Sequence, residues 1–197
     1  MADTYQHEPP YTVGVIVGST AASSINRRLA KALIKLAPED LQCSFIEIDQ
    51  LGLYDRDLDA SYPPEALAFK EAISSSDAIL FVTPEYNRSI PGALKNAIDW
   101  ASRPYGQNAL SRKPVGMAGT SPGGIGTAVA QQHLKAIMSF CNAPLMNDVE
   151  VYVQYQEGMV DDNDDVTIDS TKEFLTDFMQ RYDDFVRRVL TVVPQNR

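Results

Sequence analysis

Residues 78–82, Ala-Ile-Leu-Phe-Val, are uniformly apolar, the pattern of a strand covered on both faces. Four other short segments read as strands. Residues 12–17 (TVGVIV) are β-branched, residues 43–48 (CSFIEI) and 148–155 (DVEVYVQY) alternate, and residues 113–119 form the fourth in chain order. Between them apolar positions recur at helical spacing. Leu29, Ala32, Leu33 and Leu36 mark a helix over 24–36, and a second covers 65–75. Ile90-Pro91-Gly92 opens a third, with Ala93, Leu94, Ala97 and Ile98 as its stripe and proline in the tolerated first turn. A fourth runs to about Phe140. The last starts at Ser170, capped with Glu173 three residues on, and has Phe174, Leu175, Phe178, Tyr182, Phe185, Val189 and Leu190 as its apolar face. Five alternations of strand and helix predict an α/β fold, a doubly wound five-stranded parallel sheet with helices on both faces. Residues 1–10, polar and containing Pro9-Pro10, read as a flexible tail, and 11–197 as a single domain.

Composition narrows the partners. The chain has 197 residues, 44% of them hydrophobic and 22% charged, as in an ordinary globular protein with a sizeable core. A net charge of −9 argues against nucleic acid and against anionic membrane surfaces. No apolar run spans a bilayer, and the N-terminus lacks the basic start and apolar run of a signal peptide. Cys43 and Cys141 lie in apolar or strand-like surroundings and read as reduced core residues of a cytoplasmic protein. The acidic stretches 49–64 and 157–169 fail the calcium-loop pattern and read as solvated loops. No metal-ligand spacing is present. His133 lies mid-helix, on a surface or at an interface, and Ser121 lacks the context of a hydrolase nucleophile.

The chemistry concentrates where open α/β sheets bind ligands, beyond the carboxyl ends of the strands. After the first strand, Ser19, Thr20, Ser23, Ser24 and Asn26 crowd a helix N-terminus, where free amides and the dipole favour an anion. No P-loop lysine follows and no spaced glycines are present, so the loop suits one phosphate monoester. Helix capping by Ser23 or Ser24 is the alternative use of these hydroxyls. After the central strand come Thr83-Pro84 and then Glu85-Tyr86-Asn87-Arg88. Pro84 stiffens the turn, Tyr86 offers an aromatic face, and Glu85 and Asn87 offer hydrogen bonds, a set suited to a flat heteroaromatic ring. An ordinary strand-to-helix turn would use similar residues. After the fourth strand, Ser121-Pro122-Gly123-Gly124-Ile125-Gly126 permits close backbone approach to a ligand.

Three motifs, GSTAASSINRRLAKAL, TPEYNRSIPGALKNAIDWASRP and GTSPGGIGTAVAQQHL, resemble the NADPH-dependent FMN reductase family, which includes flavodoxin-like quinone, azo-dye and chromate reductases. The resemblance covers about residues 12–155. It implies a flavodoxin-like fold, FMN bound non-covalently at a homodimer interface, and two-electron reduction by NADPH or NADH of quinones or similar small acceptors such as azo dyes, chromate and ferric complexes. It further implies that Ser19, Ser24, Ile25 and Asn26 hold the FMN phosphate, that Pro84, Glu85, Tyr86 and Asn87 line the ring, and that Ser121, Gly123 and Gly124 approach it from the third loop. No side chain is assigned as a catalytic acid or base, because the flavin carries the chemistry.

Two departures from the family pattern matter. Many relatives carry arginine where this chain has Ala21, which predicts weaker FMN retention or a weaker preference for NADPH over NADH. Val129 and Gln132 stand where close relatives often carry Arg and Tyr near a subunit contact, while Glu150 remains, so a dimer is expected ahead of a tetramer. Two other functions fit the same loops. One is a reductase that supplies free reduced FMN to a partner monooxygenase. The other is a flavodoxin-like electron carrier with no direct NAD(P)H reaction.

Overall fold

A computed structural model describes residues 8–193. The tail expected over residues 1–10 therefore lies outside the described residues except for its last three. The strands are β1 (Tyr11–Val17), β2 (Leu41–Phe45), β3 (Ala78–Val82), β4 (Val115–Ser121) and β5 (Val151–Gln154). All neighbours pair in parallel, in the order β2-β1-β3-β4-β5. The helices are α1 (Ile25–Leu36), α2 (Pro64–Ser75), α3 (Gly92–Ser102), α4 (Ala128–Phe140) and α5 (Asp169–Val192), with a 3₁₀ turn at Arg56–Leu58.

Strand periodicity divides the core between the two faces of the sheet. Val13, Val15 and Val17 pack with Leu29 and Leu33 of α1 and with Phe178 and Tyr182 of α5. Ile16 points the other way, into a layer with Ile73 of α2, Leu94 and Trp100 of α3 and Leu134 of α4. Every residue of β3 is buried, as its uniform apolarity predicts. The strand order reverses at β1 and β3. The chain leaves β1 along one face through α1 and leaves β3 along the other through α3, so the two following loops part at the carboxyl edge of the sheet.

Several boundaries differ from the sequence expectation. β2 ends at Phe45, not 48: Ile46 keeps one sheet bond, to the Val15 carbonyl at 2.9 Å, and then Ile46 and Ile48 enter the α2/α3 layer. β4 starts at Val115 because Pro114 cannot donate to a ladder and Lys113 is drawn under the end of α2, donating to the carbonyl oxygen of Ser74 at 3.0 Å. β5 is confined to four residues. α5 starts one residue before Ser170. Its N-cap is Ile168, which makes no side-chain bond, so the expected Ser170–Glu173 capping box does not form; Asp169 supplies the favourable first-turn charge instead.

The acidic segment after β5 is more ordered than a solvated loop. Val160 and Val166 pair as an antiparallel bridge and are buried. Between them, the Asp161 carboxylate accepts from the amides of Asn163 (2.8 Å) and Asp165 (2.9 Å). The segment lies along α1, with Arg28–Asp162 at 2.8 Å, Lys31–Asp164 at 3.6 Å and Lys35–Asp165 at 2.7 Å. The segment between β2 and α2 is likewise held: Trp100 donates to the Gly52 carbonyl at 2.8 Å and meets Tyr54 and Tyr62 edge-on. Both cysteines are free thiols, and burial pushes Cys43 up to about 11.

Candidate functional site at the carboxyl edge of the sheet

The loop after β1 begins at Gly18, whose amide bonds the Val82 carbonyl at 2.9 Å and sets the loop beside β3. Ser24 is the N-cap of α1 and accepts from the Arg27 amide at 3.3 Å. Ile25 is the first helical residue. Ser19 accepts weakly from Ala21, at 3.4 Å, while the hydroxyls of Thr20 and Ser23 have no bond among the described residues. No acidic residue sits in the first turn of α1. Arg27 lies beside the loop, 4.7 Å above the Phe45 ring, and pairs through both guanidinium nitrogens with Glu47, whose hydrogen bonds hold its pKa up. A cleft of about 340 Å³ separates Ser19, Thr20 and Ala21 from Arg27, Glu47 and Asp49. Another, of about 440 Å³, opens on the far side of the helix end between Ser23, Arg28 and the acidic strap.

Asn26 behaves differently from its neighbours. It is 1% exposed and grips Thr120 at the end of β4: its Nδ2 donates to the Thr120 carbonyl (2.9 Å) and its Oδ1 accepts from the Thr120 amide (3.0 Å). Its side chain thus ties the first loop to the third.

The loop after β3 folds into a tight turn. Tyr86 and Ser89 exchange two backbone bonds of 3.0 Å, and Asn87 and Arg88 between them take φ of 53° and 61°. That pair of left-handed residues is the mark of a type I′ turn, in which asparagine is well tolerated. Tyr86 is 53% exposed at the rim. The amides of Glu85 and Asn87 bond nothing among the described residues. Pro84 is buried beneath them. The Glu85 carboxylate is not presented to the crevice as a free acceptor: it accepts from the amides of Val129 and Ala130 in the first turn of α4, and pairs with Arg88 at 2.8 Å. His133 of α4 meets the Ser89 hydroxyl at 3.0 Å, so the turn is held by α4 at both ends.

The loop after β4 places three glycines to different ends. Gly126 has φ of +60°, and a β-carbon there would lie 2.8 Å from the Tyr152 backbone. Gly123 and Gly124 need glycine for neither reason: their φ values are not positive, and a β-carbon would meet nothing closer than 3.5 Å and 3.9 Å. A side chain could be accommodated at either without a clash. Ser121 closes this loop on itself, accepting from the Gly123 amide at 3.1 Å.

The donor set fits FMN. Hydroxyls and amides with few partners at the positive end of α1 suit a phosphate, and a stiff turn with free amides, at the same sheet edge as an unobstructed glycine pair, suits a flat ring. Among the described residues no cluster of His, Cys, Asp or Glu is placed to hold a metal. No helix there is long and apolar enough to cross a membrane.

The fold and this edge define a flavodoxin-like protein with a mononucleotide site. Comparison with known proteins narrows the class. The model of the NADPH-dependent FMN reductase family matches residues 11–158, and the chain belongs to that family. A 2-hydroxy-1,4-benzoquinone reductase from a Burkholderia species is 46% identical over 175 residues, covering 89% of this chain and 96% of that protein. A quinone reductase from Pseudomonas putida is 44% identical over 178 residues, 90% of this chain and 95% of that one. Among solved structures, the flavoenzyme NAD(P)H:(acceptor) oxidoreductase FerB from Paracoccus denitrificans superposes with a TM-score of 0.87 at 43% identity, covering 90% of this chain and 98% of that chain. The protein is an oxidoreductase that uses FMN and NAD(P)H.

The residues expected at the site fall into two groups. Ser19, Tyr86, Asn87 and Gly124 stand at the carboxyl edge with groups open to a ligand, above the buried Pro84, while Gly123 offers only the absence of a side chain, its amide and carbonyl being bonded within the loop. Ser24, Asn26, Glu85 and Ser121 already have protein partners, and their side chains shape the loops. Sequence reasoning did not find the Arg27–Glu47 pair or the His133–Ser89 contact, which join residues 20 and 44 positions apart.

Proposed function

We propose that the protein carries two electrons from NAD(P)H to quinones or similar small acceptors through FMN held by these three loops. The observation that carries the reading is the pair of free amides, Glu85 and Asn87, after β3, where the strand order reverses, together with the side-chain-free Gly123-Gly124 backbone after β4 at the same sheet edge. Bound FMN supplies the hydride acceptor and the two-electron donor. The chain's residues bind and orient: Ser19, with Thr20 and Ser23, for the phosphate; the amides of Glu85 and Asn87 for the electron-rich edge of the ring; Tyr86 as the wall against which a planar donor or acceptor rests. Naphtho- and benzoquinones are the first acceptors to assay, with azo dyes, chromate and ferric complexes after them.

Ala21 favours a second use of the same site. Without a cation at this point, and with the neighbouring Arg27 paired to Glu47, FMN is held mainly by neutral groups, and reduced FMN released to a partner monooxygenase becomes a workable product. The same gap predicts no strong preference for NADPH over NADH; a strong preference for NADPH would contradict it. Steady-state kinetics of NADH, NADPH and 1,4-benzoquinone test the main reading, with parallel double-reciprocal lines expected. Flavin that leaves the reduced enzyme on gel filtration would replace that reading with the second.

The assembly proposed is a homodimer. Tyr105 and Phe140 are 90% and 86% exposed beside a groove of about 670 Å³ between α3 and α4, large apolar surface that a second copy would cover. Gln132, Lys135, Glu150 and Tyr152 bond one another within the chain, which favours two copies over four. Two free thiols suit a reducing cytoplasm.

A further inference from the structure

Helix α4 begins without a cap of its own. Thr127 stands at its N-cap but makes no capping bond; its hydroxyl accepts from the Gln131 side chain at 2.8 Å. The first-turn amides are answered from a different loop. Oε2 of Glu85 accepts from Val129 at 3.0 Å and Ala130 at 3.1 Å, while Oε1 pairs with Arg88 at 2.8 Å. The Glu85 side chain is 5% exposed. Burial raises its pKa, but the bonds from Ala130, Arg88 and Val129 outweigh that and hold the carboxyl below its ordinary value, so it is ionised at neutral pH.

This carboxylate therefore neutralises two positive features next to the ring-lining turn, the N-terminus of α4 and the Arg88 guanidinium. The same bonds fix where the turn's free amides point. Reduced flavin is richer in electrons than oxidised flavin, so uncompensated positive charge beside the ring would favour the reduced form. We propose that Glu85 is a positioning residue with an electrostatic role: it fixes the free amides of Glu85 and Asn87 by clamping the turn to α4, and it keeps the reduction potential of bound FMN low enough for the reduced enzyme to pass its electrons on. The inference rests on FMN occupying this crevice.

Two variants separate the roles. Glu85→Gln keeps an oxygen acceptor for the α4 amides and removes the charge. Its FMN-loaded form is expected to favour reduction by about tenfold over wild type, a rise of about 30 mV for a two-electron couple, with FMN affinity within about threefold. Glu85→Ala removes the acceptor as well, and the apoprotein is expected to bind FMN about tenfold more weakly or worse, by fluorescence titration. A Glu85→Gln enzyme whose reduction equilibrium stays within about twofold of wild type, or moves the other way, overturns the electrostatic role. Unchanged FMN affinity in a folded Glu85→Ala protein overturns the clamp; if that variant does not fold, loosened FMN binding in Glu85→Asp, whose shorter arm cannot span to α4, takes its place, and unchanged binding there overturns it equally. A wild-type protein that takes up no FMN would overturn this inference and the functional reading together, whereas an unchanged Glu85→Gln potential overturns the inference alone.

Discussion

The loops after β1 and β3 carry similar polar residues and use them in opposite ways. In the first, Thr20 and Ser23 bond nothing among the described residues, Ser19 makes one weak contact, and the positive end of α1 has no acidic residue to answer it. In the second, side chains are engaged with the protein: Glu85 with α4 and Arg88, Ser89 with His133. What the second loop leaves free, besides the exposed Tyr86 and Asn87 side chains, is backbone. The difference matches the chemistry asked of each. A phosphate is bound well by mobile hydroxyls at a helix end, whereas a ring that changes its electron count needs donors held in place beforehand.

The comparison can be broken most severely where the protein itself demands glycine. A β-carbon at Gly119 would lie 2.2 Å from the Thr127 hydroxyl and 2.3 Å from the Thr83 carbonyl. Gly119→Ala is expected to lose about 3 kcal/mol or more, read by urea denaturation. Gly123→Ala, whose β-carbon would make only an ordinary contact with the Ser121 hydroxyl at 3.5 Å, should stay within about 0.5 kcal/mol of wild type while binding FMN at least about tenfold more weakly. Equal stability losses in the two would erase the distinction between a glycine the fold requires and one a ligand requires.

Asn26 and Ser19 sharpen the contrast within one loop. Asn26→Ala strands the Thr120 amide and carbonyl in a buried site and should cost about 2–3 kcal/mol. Ser19→Ala should leave stability within about 0.5 kcal/mol and show itself in FMN affinity alone. Thermal melts beside flavin titrations read both.

Acid tests the second loop. A carboxyl held below its unfolded value of 4.5 contributes stability that is complete above that value and lost as pH falls through the lower folded one. Wild type should therefore exceed Glu85→Gln by about 1.5–3 kcal/mol at pH 7, with the gap closing as pH drops below the unfolded value. A gap that widens in acid would show that Glu85 is not the ionised clamp. A smaller loss is expected at Ser24, where Ser24→Ala removes the α1 cap and should cost about 1 kcal/mol.

Much of this architecture is legible along the chain. The uniformly buried run at 78–82 and the helical stripes between strands suffice for the layer order, because each pattern is set by which faces meet water. Strand ends were less legible: β2 stops where Ile46 and Ile48 cross to the other layer, an event with no local signature. The strap on α1 did leave a signal. Arg28, Lys31 and Lys35 are spaced three and four apart, one basic helical face matching an acidic run. At the site, the positions of the three loops followed from strand ends and motifs. The roles of Asn26 and Glu85 did not, since both residue types suit a ligand equally well, and burial against Thr120 and α4 is decided by contacts 94 and about 45 residues away.

The most direct test is the visible spectrum of the purified protein with FMN, recorded before and after anaerobic addition of NADH and, separately, NADPH. The account predicts protein-bound flavin bands that bleach with both donors and return when a quinone is added. A protein that binds no FMN, or whose bound flavin neither donor reduces, would contradict it.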